Sequence, residues 1–209
     1  MRITAGRLKG RYLRVPTTGV RPSQDRLRQS LFSSLGEWVV GRRVLDLFAG
    51  SGALGLEAWS RGAREVVWIE RDPRAFATLR ANVHALCERR GCEALCLRGD
   101  ATDLRRWGRQ LGAFDLILAD PPYDVARGNR LLMDFLDSLP KSGLVREDSV
   151  FVFEMRADFE IPSHPSWRPP HARRVGESLW ILYRLRPLTT ASPEAHKPQH
   201  IAGEEAREH

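Results

Sequence analysis

The stretch Val44-Leu-Asp-Leu-Phe-Ala-Gly-Ser-Gly-Ala-Leu-Gly55 constrains the fold more than any other part of the sequence. A short apolar run leads directly into a turn with glycines at 50, 52 and 55, and a helical pattern follows through Trp59. A strand, turn and helix of this kind leave the free backbone N–H groups of the helix start facing the strand's carboxyl end, where open α/β sheets bind ligands. Glu65 to Glu70 reads as the next strand and completes a βαβ unit. Further on, a helix is expected over Pro73–Leu86, strands near Ala94–Leu97, Leu116–Ala119 and Val150–Glu154, and a helix around Arg130–Ser138. Ser178–Arg186 alternates enough to close the sheet, in an antiparallel sense. This alternation predicts an α/β fold with a doubly wound, mostly parallel sheet.

At 209 residues the chain suits one such domain with small appendages. Residues 1–22 read as a basic N-terminal hairpin and linker, 23–186 as the catalytic domain and 187–209 as a disordered tail. In the first segment Ile3, Leu8, Tyr12, Leu13 and Val15 are apolar around Gly6 and Gly10, which fits a hairpin. Ser23 can N-cap a helix from Gln24 to Leu35, with Leu27, Leu31, Phe32 and Leu35 on one face and Arg26 and Arg28 on the other. The tail contains Pro187, Pro193 and Pro198 and no aromatic residue, too little apolar surface to order itself.

Charge is distributed unevenly. The net charge is +7, yet residues 1–43 alone hold ten Lys and Arg against two acids, so the remaining 166 residues sum to −1. A basic front of this kind favours a nucleic-acid contact surface, with Arg7, Lys9, Arg11, Arg21 and Arg26 as its candidate RNA contacts. No apolar run is long enough for a bilayer span and no apolar core follows the basic N-terminus, so a cytoplasmic, monomeric protein is expected. Cys87, Cys92 and Cys96 show no paired metal spacing, and the three tail histidines are scattered, so no metal is expected.

Gly50, Gly52 and Gly55 alone would serve NAD or FAD equally well. Asp46 argues otherwise, because a carboxylate two residues before the turn would repel a pyrophosphate and favour a cation. S-adenosylmethionine carries a sulfonium and an ammonium and no phosphate, so it meets that requirement. The turn Phe48-Ala-Gly-Ser-Gly52 would then hold the cofactor, and Glu70, followed by Arg71 and Asp72, would accept from the ribose hydroxyls. Asp100 either accepts from the adenine amino group beside the Ala101 N–H or N-caps a helix over Ala101–Trp107, and spacing does not choose between them.

The most specific signal is Asp120-Pro121-Pro122-Tyr123 at the end of the fourth strand. The prolines lack N–H donors and hold the chain in a rigid extended turn. An exocyclic amino nitrogen shares its lone pair with the ring and is a poor nucleophile. The Asp120 side chain and the Pro121 carbonyl can each accept one amino hydrogen, turning the lone pair toward a methyl donor, while Tyr123 stacks on the base.

Val44 to Leu56 together with Asp120 to Tyr123 resembles the amino-methyltransferase pattern of a glycine motif followed by [N/D]-P-P-[Y/F]. Arg21-Pro-Ser-Gln-Asp-Arg-Leu-Arg-Gln-Ser-Leu-Phe32 and Ile3-Thr-Ala-Gly-Arg-Leu-Lys-Gly-Arg11 are similar to two motifs of the bacterial RsmD family, and the likeness covers residues 2 to about 186. That resemblance implies a class I S-adenosylmethionine-dependent, Rossmann-like methyltransferase acting on guanine N2 of small-subunit ribosomal RNA, free or in a subunit particle. It also implies that Arg21, Pro22, Asp25 and Arg26 form the cofactor and RNA side of the cleft, and that Glu154 ends the fifth strand near the substrate. The chain departs from the family at Ser23, Gln29 and Arg174-Val-Gly176, all on the substrate rim. Adenine N6, a protein glutamine, noncatalytic RNA binding and a dehydrogenase are the alternatives; D-P-P-Y itself does not name the substrate.

Overall fold

The central strands are apolar on both faces, which forces the sheet to be covered on both sides. The computed structural model describes residues 1–15, 22–87, 93–122 and 128–187. Its strands are β1 (Arg43–Leu47), β2 (Glu65–Glu70), β3 (Glu93–Arg98), β4 (Phe114–Ala119), β5 (Val145–Arg156), β6 (His171–Val175) and β7 (Ser178–Arg184). Its helices are α1 (Pro22–Leu35), α2 (Ala53–Ser60), α3 (Pro73–Leu86), α4 (Leu104–Leu111) and α5 (Gly128–Ser138). The strands form one sheet in the order β3-β2-β1-β4-β5-β7-β6. β1 to β5 pair in parallel, and β7 runs antiparallel to both β5 and β6. The expected antiparallel closing strand is therefore present, with one further strand beyond it.

Val44, Leu116, Leu118, Val150 and Val152 pack with residues of α1, α2 and α3 on one side. Leu45, Leu47, Ile117, Ala119, Phe151 and Phe153 pack with α4 and α5 on the other. β6 escaped the sequence reading because four of its five residues are exposed, leaving no apolar alternation to mark it; pairing with β7 orders it. β5 outruns the expected Val150–Glu154 at both ends: exposed Arg146, Glu147 and Asp148 precede the apolar run, and pairing with β7 carries the strand on to Arg156, so Glu154 lies within it rather than at its end. Among the described residues no helix is long and apolar enough to cross a membrane. Tyr123, Arg21, Cys92 and the 188–209 tail lie outside the described residues.

The hairpin expected over residues 1–15 closes through one antiparallel bridge, Arg2 to Tyr12, around a 3-10 turn at Gly6–Leu8. It is seated on α2. Gly6 adopts φ 78°, and a Cβ there would lie 1.9 Å from the Ser60 carbonyl oxygen, so only glycine allows the approach. Ile3, Leu8 and Leu13 enter the same core as α1 and α2. The polar link is Glu57, which is fully buried. It accepts from Thr4 N (2.9 Å), Thr4 Oγ1 (2.6 Å), Ala5 N (3.1 Å), Arg28 Nε (3.2 Å) and Arg61 Nε (2.9 Å).

Arg28 corrects the reading of α1. Leu27, Leu31, Phe32 and Leu35 are buried as their spacing predicts, but Arg28 is only 2% exposed rather than on the solvent face with Arg26. It is drawn inward by Glu57, by Asp25 Oδ1 (2.9 Å) and by the Arg2 carbonyl (2.6 Å). Removing the acid should leave this guanidinium buried without its main counter-charge. Glu57→Ala is expected to destabilise the protein by about 3–5 kcal/mol in urea unfolding. A loss below about 1 kcal/mol, the size of a surface pair, would show that the network is not holding the N-terminal segment.

Candidate active site

The chain order reverses beside β1, which lies between β2 and β4, and a cleft opens there at the strands' carboxyl ends. Its volume is about 530 Å³, within the ~300–1,000 Å³ of small-molecule sites. Phe48, Ala49, Gly50 and Ser51 from the β1–α2 turn line it, with Glu70 and Arg71 after β2, Ala101 after β3, and Asp120, Pro121 and Pro122 after β4. Ten of the sequence-predicted positions thus converge on one cavity.

The turn is bent by its backbone. Gly50 and Gly52 have φ of 55° and 83°, and Phe48, not a glycine, has φ 58°. A left-handed non-glycine residue costs of order 1–3 kcal/mol and persists where its surroundings hold it. Here the end of β2 does so: Ala49 N donates to the Ile69 carbonyl (3.0 Å) and Gly50 N to Glu70 Oε2 (2.8 Å). Gly52 lies at the N-cap of α2 and does not line the cleft. Gly55 is needed for packing, since a Cβ there would sit 2.2 Å from Trp68 Nε1.

Asp46 requires a correction. Its carboxylate was expected to face the ligand, but it is 1% exposed and does not line the cleft. One oxygen accepts from Gly55 N at 2.8 Å, satisfying a free donor of the first turn of α2 from the preceding strand. The other is buried without a partner among the described residues. Burial pushes the Asp46 carboxyl well above the usual range, and the nearby Glu70 charge adds to this while the Gly55 N–H opposes it.

Glu70 is buried at the cleft edge with Oε1 accepting from Asp72 N (2.8 Å). Asp72 caps α3 through Arg74 N and Ala75 N, with Pro73 at the first turn. Asp100 takes neither role offered by its spacing: it does not line the cleft, and α4 starts at Leu104 after an Asp103 N-cap. Its Oδ1 accepts from Thr102 N (2.9 Å) and Thr102 Oγ1 (2.8 Å), a local turn, and those bonds lower its carboxyl pKa.

The pairing of Ala119 with Phe153 sets Asp120, just past the end of β4, beside Glu154 within β5. Period-two alternation puts both on the face of Leu118 and Val152, toward α1. Both carboxyls line the same cleft wall. Burial, and then the neighbouring Glu154 carboxyl, push Asp120 well above the usual carboxylate range, with a smaller push from Asp46. Arg28 and Trp180 complete this wall, the Trp180 Nε1 donating to the Leu27 carbonyl at 3.0 Å. Neither was foreseen. Arg28 reads as an ordinary surface cation, and Trp180 as a strand residue; only the i, i+3 spacing of Asp25 and Arg28 hinted at a fixed guanidinium.

Of the basic candidates, Arg7, Lys9, Arg11 and Arg26 are exposed. Lys9 and Arg26 border a separate groove of about 590 Å³ with Arg2, Asp25 and Gln29, outside the cleft. Arg7 lies over the Trp59 ring at 4.7 Å.

The chain matches the family described as Conserved hypothetical protein 95 over residues 1–184. Ribosomal RNA small subunit methyltransferase D of Escherichia coli K12 is 31% identical over 193 residues, covering 88% of this chain and 89% of that one. The chain belongs to the RsmD family. Among solved structures, Escherichia coli yhhF superposes with a TM-score of 0.74 at 32% identity, over 88% of this chain and 97% of that one. The Thermus thermophilus 16S rRNA N2 G1207 methyltransferase RsmC, solved with AdoMet and guanosine, superposes with a TM-score of 0.60 at 26% identity, over 81% of this chain and 44% of that one. The family fold is thus that of class I S-adenosylmethionine-dependent methyltransferases.

The raised Asp46 carboxyl has a testable consequence for stability. Because its folded pKa lies above its unfolded value of ~3.9, folding takes up a proton between the two. Its contribution to stability therefore falls as pH rises through that window. Asp46→Asn keeps an oxygen for the Gly55 N–H and removes the titration, so the stability of the variant relative to wild type should increase from about pH 4 upward. Urea midpoints of both proteins across pH provide the measurement; a difference independent of pH would mean that Asp46 titrates normally.

Proposed function

We propose that this protein transfers a methyl group from S-adenosylmethionine to the exocyclic N2 amine of a guanine in small-subunit ribosomal RNA. The observation that carries the reading is the Asp120 carboxyl at the cleft floor, followed by the donor-free Pro121-Pro122 turn. The cleft lining fits the cofactor. Glu70, Asp72, Asp120 and Glu154 bring carboxyl groups to the cavity against Arg28 and Arg71, a balance suited to a cationic nucleoside and unsuited to a pyrophosphate. Phe48, Leu54 and Ile69 supply apolar walls. When bound, the cofactor provides a methyl group activated by the positive sulfonium. The names of the Escherichia coli and Thermus thermophilus relatives support a ribosomal RNA substrate, and the guanosine bound by the latter supports guanine.

Glu70 is assigned to the ribose hydroxyls. Its two oxygens already accept from Gly50 N and Asp72 N, but a carboxylate has about four acceptor positions, so two remain. The backbone of Ala101 is assigned to the adenine edge, while Asp100 accepts from Thr102 and does not line the cleft. Asp120 and the Pro121 carbonyl hold the two amine hydrogens, and Tyr123 is the stacking candidate. Ribosomal RNA or a small-subunit particle would dock on Arg7, Lys9, Arg11, Arg21 and Arg26, with the enzyme acting as a cytoplasmic monomer.

Two experiments test the reading. In single-turnover methyl transfer to ribosomal RNA, Asp120→Ala should lose ~100-fold or more; Asp120→Asn should fall between it and wild type if Asp120 only orients the amine, and should be as inactive as Asp120→Ala if the carboxyl takes the released proton. Near wild-type transfer by Asp120→Ala would remove the motif from the chemistry. Replacing Arg7, Lys9 and Arg11 together with Ala should weaken RNA binding and flatten its salt dependence by up to about three phosphate contacts, with cofactor affinity unchanged. An unaltered salt slope would assign these residues to the fold.

A further inference from the structure

We propose that Glu154 is the second half of a proton-sharing carboxyl pair: it holds one proton jointly with Asp120 and so fixes which Asp120 oxygen faces the substrate amine. This rests on the methyl-transfer reading of the same cleft and assigns Glu154 as a positioning residue that works through Asp120.

The geometry follows from the parallel pairing of β4 and β5. One step beyond the pair Ala119–Phe153, Asp120 and Glu154 emerge on the same face of adjacent strands and line the same cleft. Glu154 is 5% exposed, so its carboxyl is largely withdrawn from bulk water. Burial, and then the neighbouring Glu154 carboxyl, push the Asp120 carboxyl well above the usual range, as expected of two acids that share one cleft wall. Two acids set side by side on adjacent strands disfavour each other's ionisation, and a proton kept on one of them lets it donate to the other, which as a carboxylate can only accept. The elements packed around the pair keep that proton in place. Asp46 on β1 adds negative charge that disfavours a second ionisation, and Glu70 on β2 lines the cleft with the same sign. Arg28 on α1 lines the wall, but its guanidinium is bonded to Glu57, Asp25 and the Arg2 carbonyl. Trp180 on β7 lies opposite Glu154 and gives its N–H to Leu27.

One Asp120 oxygen is thus occupied by the shared proton, and the other is left to accept from the amine. As the nitrogen bonds to the methyl carbon, the carbon–sulfur bond breaks and its electron pair stays on sulfur. The nitrogen then carries one proton too many, and passes it to the free Asp120 oxygen. The pair goes from one proton and a charge of −1 to two protons and no charge, and returns one proton to water when product leaves. The site loses negative charge in the same step in which the sulfonium loses its positive charge.

The test uses the full chain and begins without cofactor or RNA. With carboxyl carbons of Asp and Glu labelled, magnetic resonance across pH should show the pair titrating in two separated steps and still holding one proton at neutral pH. In Glu154→Gln the Asp120 carboxyl should titrate in one step at lower pH. Both carboxyls ionised in the wild-type protein at neutral pH would overturn the proposal, and that measurement needs no variant to fold. In single-turnover transfer, Glu154→Gln should slow the step by about 10- to 100-fold at unchanged cofactor affinity, and Glu154→Asp should recover part of the rate. A wild-type rate in Glu154→Gln would also overturn it. Wild-type protein that binds cofactor but methylates no RNA would instead defeat the functional reading, while the carboxyl titration would still decide the pair.

Discussion

A buried carboxylate, Glu57, ties together the parts from which the cleft is made. It sits in α2 directly after the cofactor turn and accepts from the N-terminal segment, from α1 and from its own helix. A charge in that position would be untenable alone; five hydrogen bonds, two of them from guanidinium groups, offset its desolvation. The result is that Arg28 is held rigidly in the cleft wall, and that Met1 and Val15, at the two ends of the N-terminal segment, reach the same cavity. Asn82 of α3 adds a second clasp, bonding both the Arg14 backbone and the Ser51 carbonyl of the turn. The basic N-terminal segment and the cleft are therefore mechanically connected.

The electrostatic character of the site arises from strand ends. A parallel sheet aligns the carboxyl ends of β1, β4 and β5, and the period of two puts Asp46, Asp120 and Glu154 on one face. Like charges gathered in a dry setting cannot all ionise, so Asp46 and Asp120 are both displaced upward in pKa. Asp46 contributes from behind the floor, through space and through the capped α2, rather than by contact. The acidity of the cleft is a property of the sheet as a whole, and no one residue accounts for it.

Much of this was legible in the chain. The glycine turn, Asp-Pro-Pro-Tyr and the carboxylate at the end of β2 are local signals, because strand, turn and strand end are each specified within a few residues. The expected spans of β2 and α3 coincide with the observed ones for the same reason, with Asp72 and Pro73 marking the start of α3. Less local features were misread. The exposed strand β6 carries no apolar alternation, so only its partner β7 defines it. Arg28 shares its composition with Arg26 but not its fate, because Glu57 lies 29 residues away along the chain. Asp100 had two plausible roles, and a two-residue hydrogen bond to Thr102 gave it a third.

The sequence by itself determined a strand–turn–helix bent at its glycines, and a Pro121-Pro122 turn without N–H donors at the end of a neighbouring strand. Both follow from backbone rules that act over a few residues: glycine's access to positive φ and proline's missing donor. Only the tertiary structure decided which charges reach the cavity. Burial, and the pairing of groups distant in the chain, turned Asp46 inward, brought Arg28 into the wall and set Glu154 against Asp120. Charge in water is cheap anywhere along a sequence, but charge out of water must find a partner, and the partner is chosen by the fold.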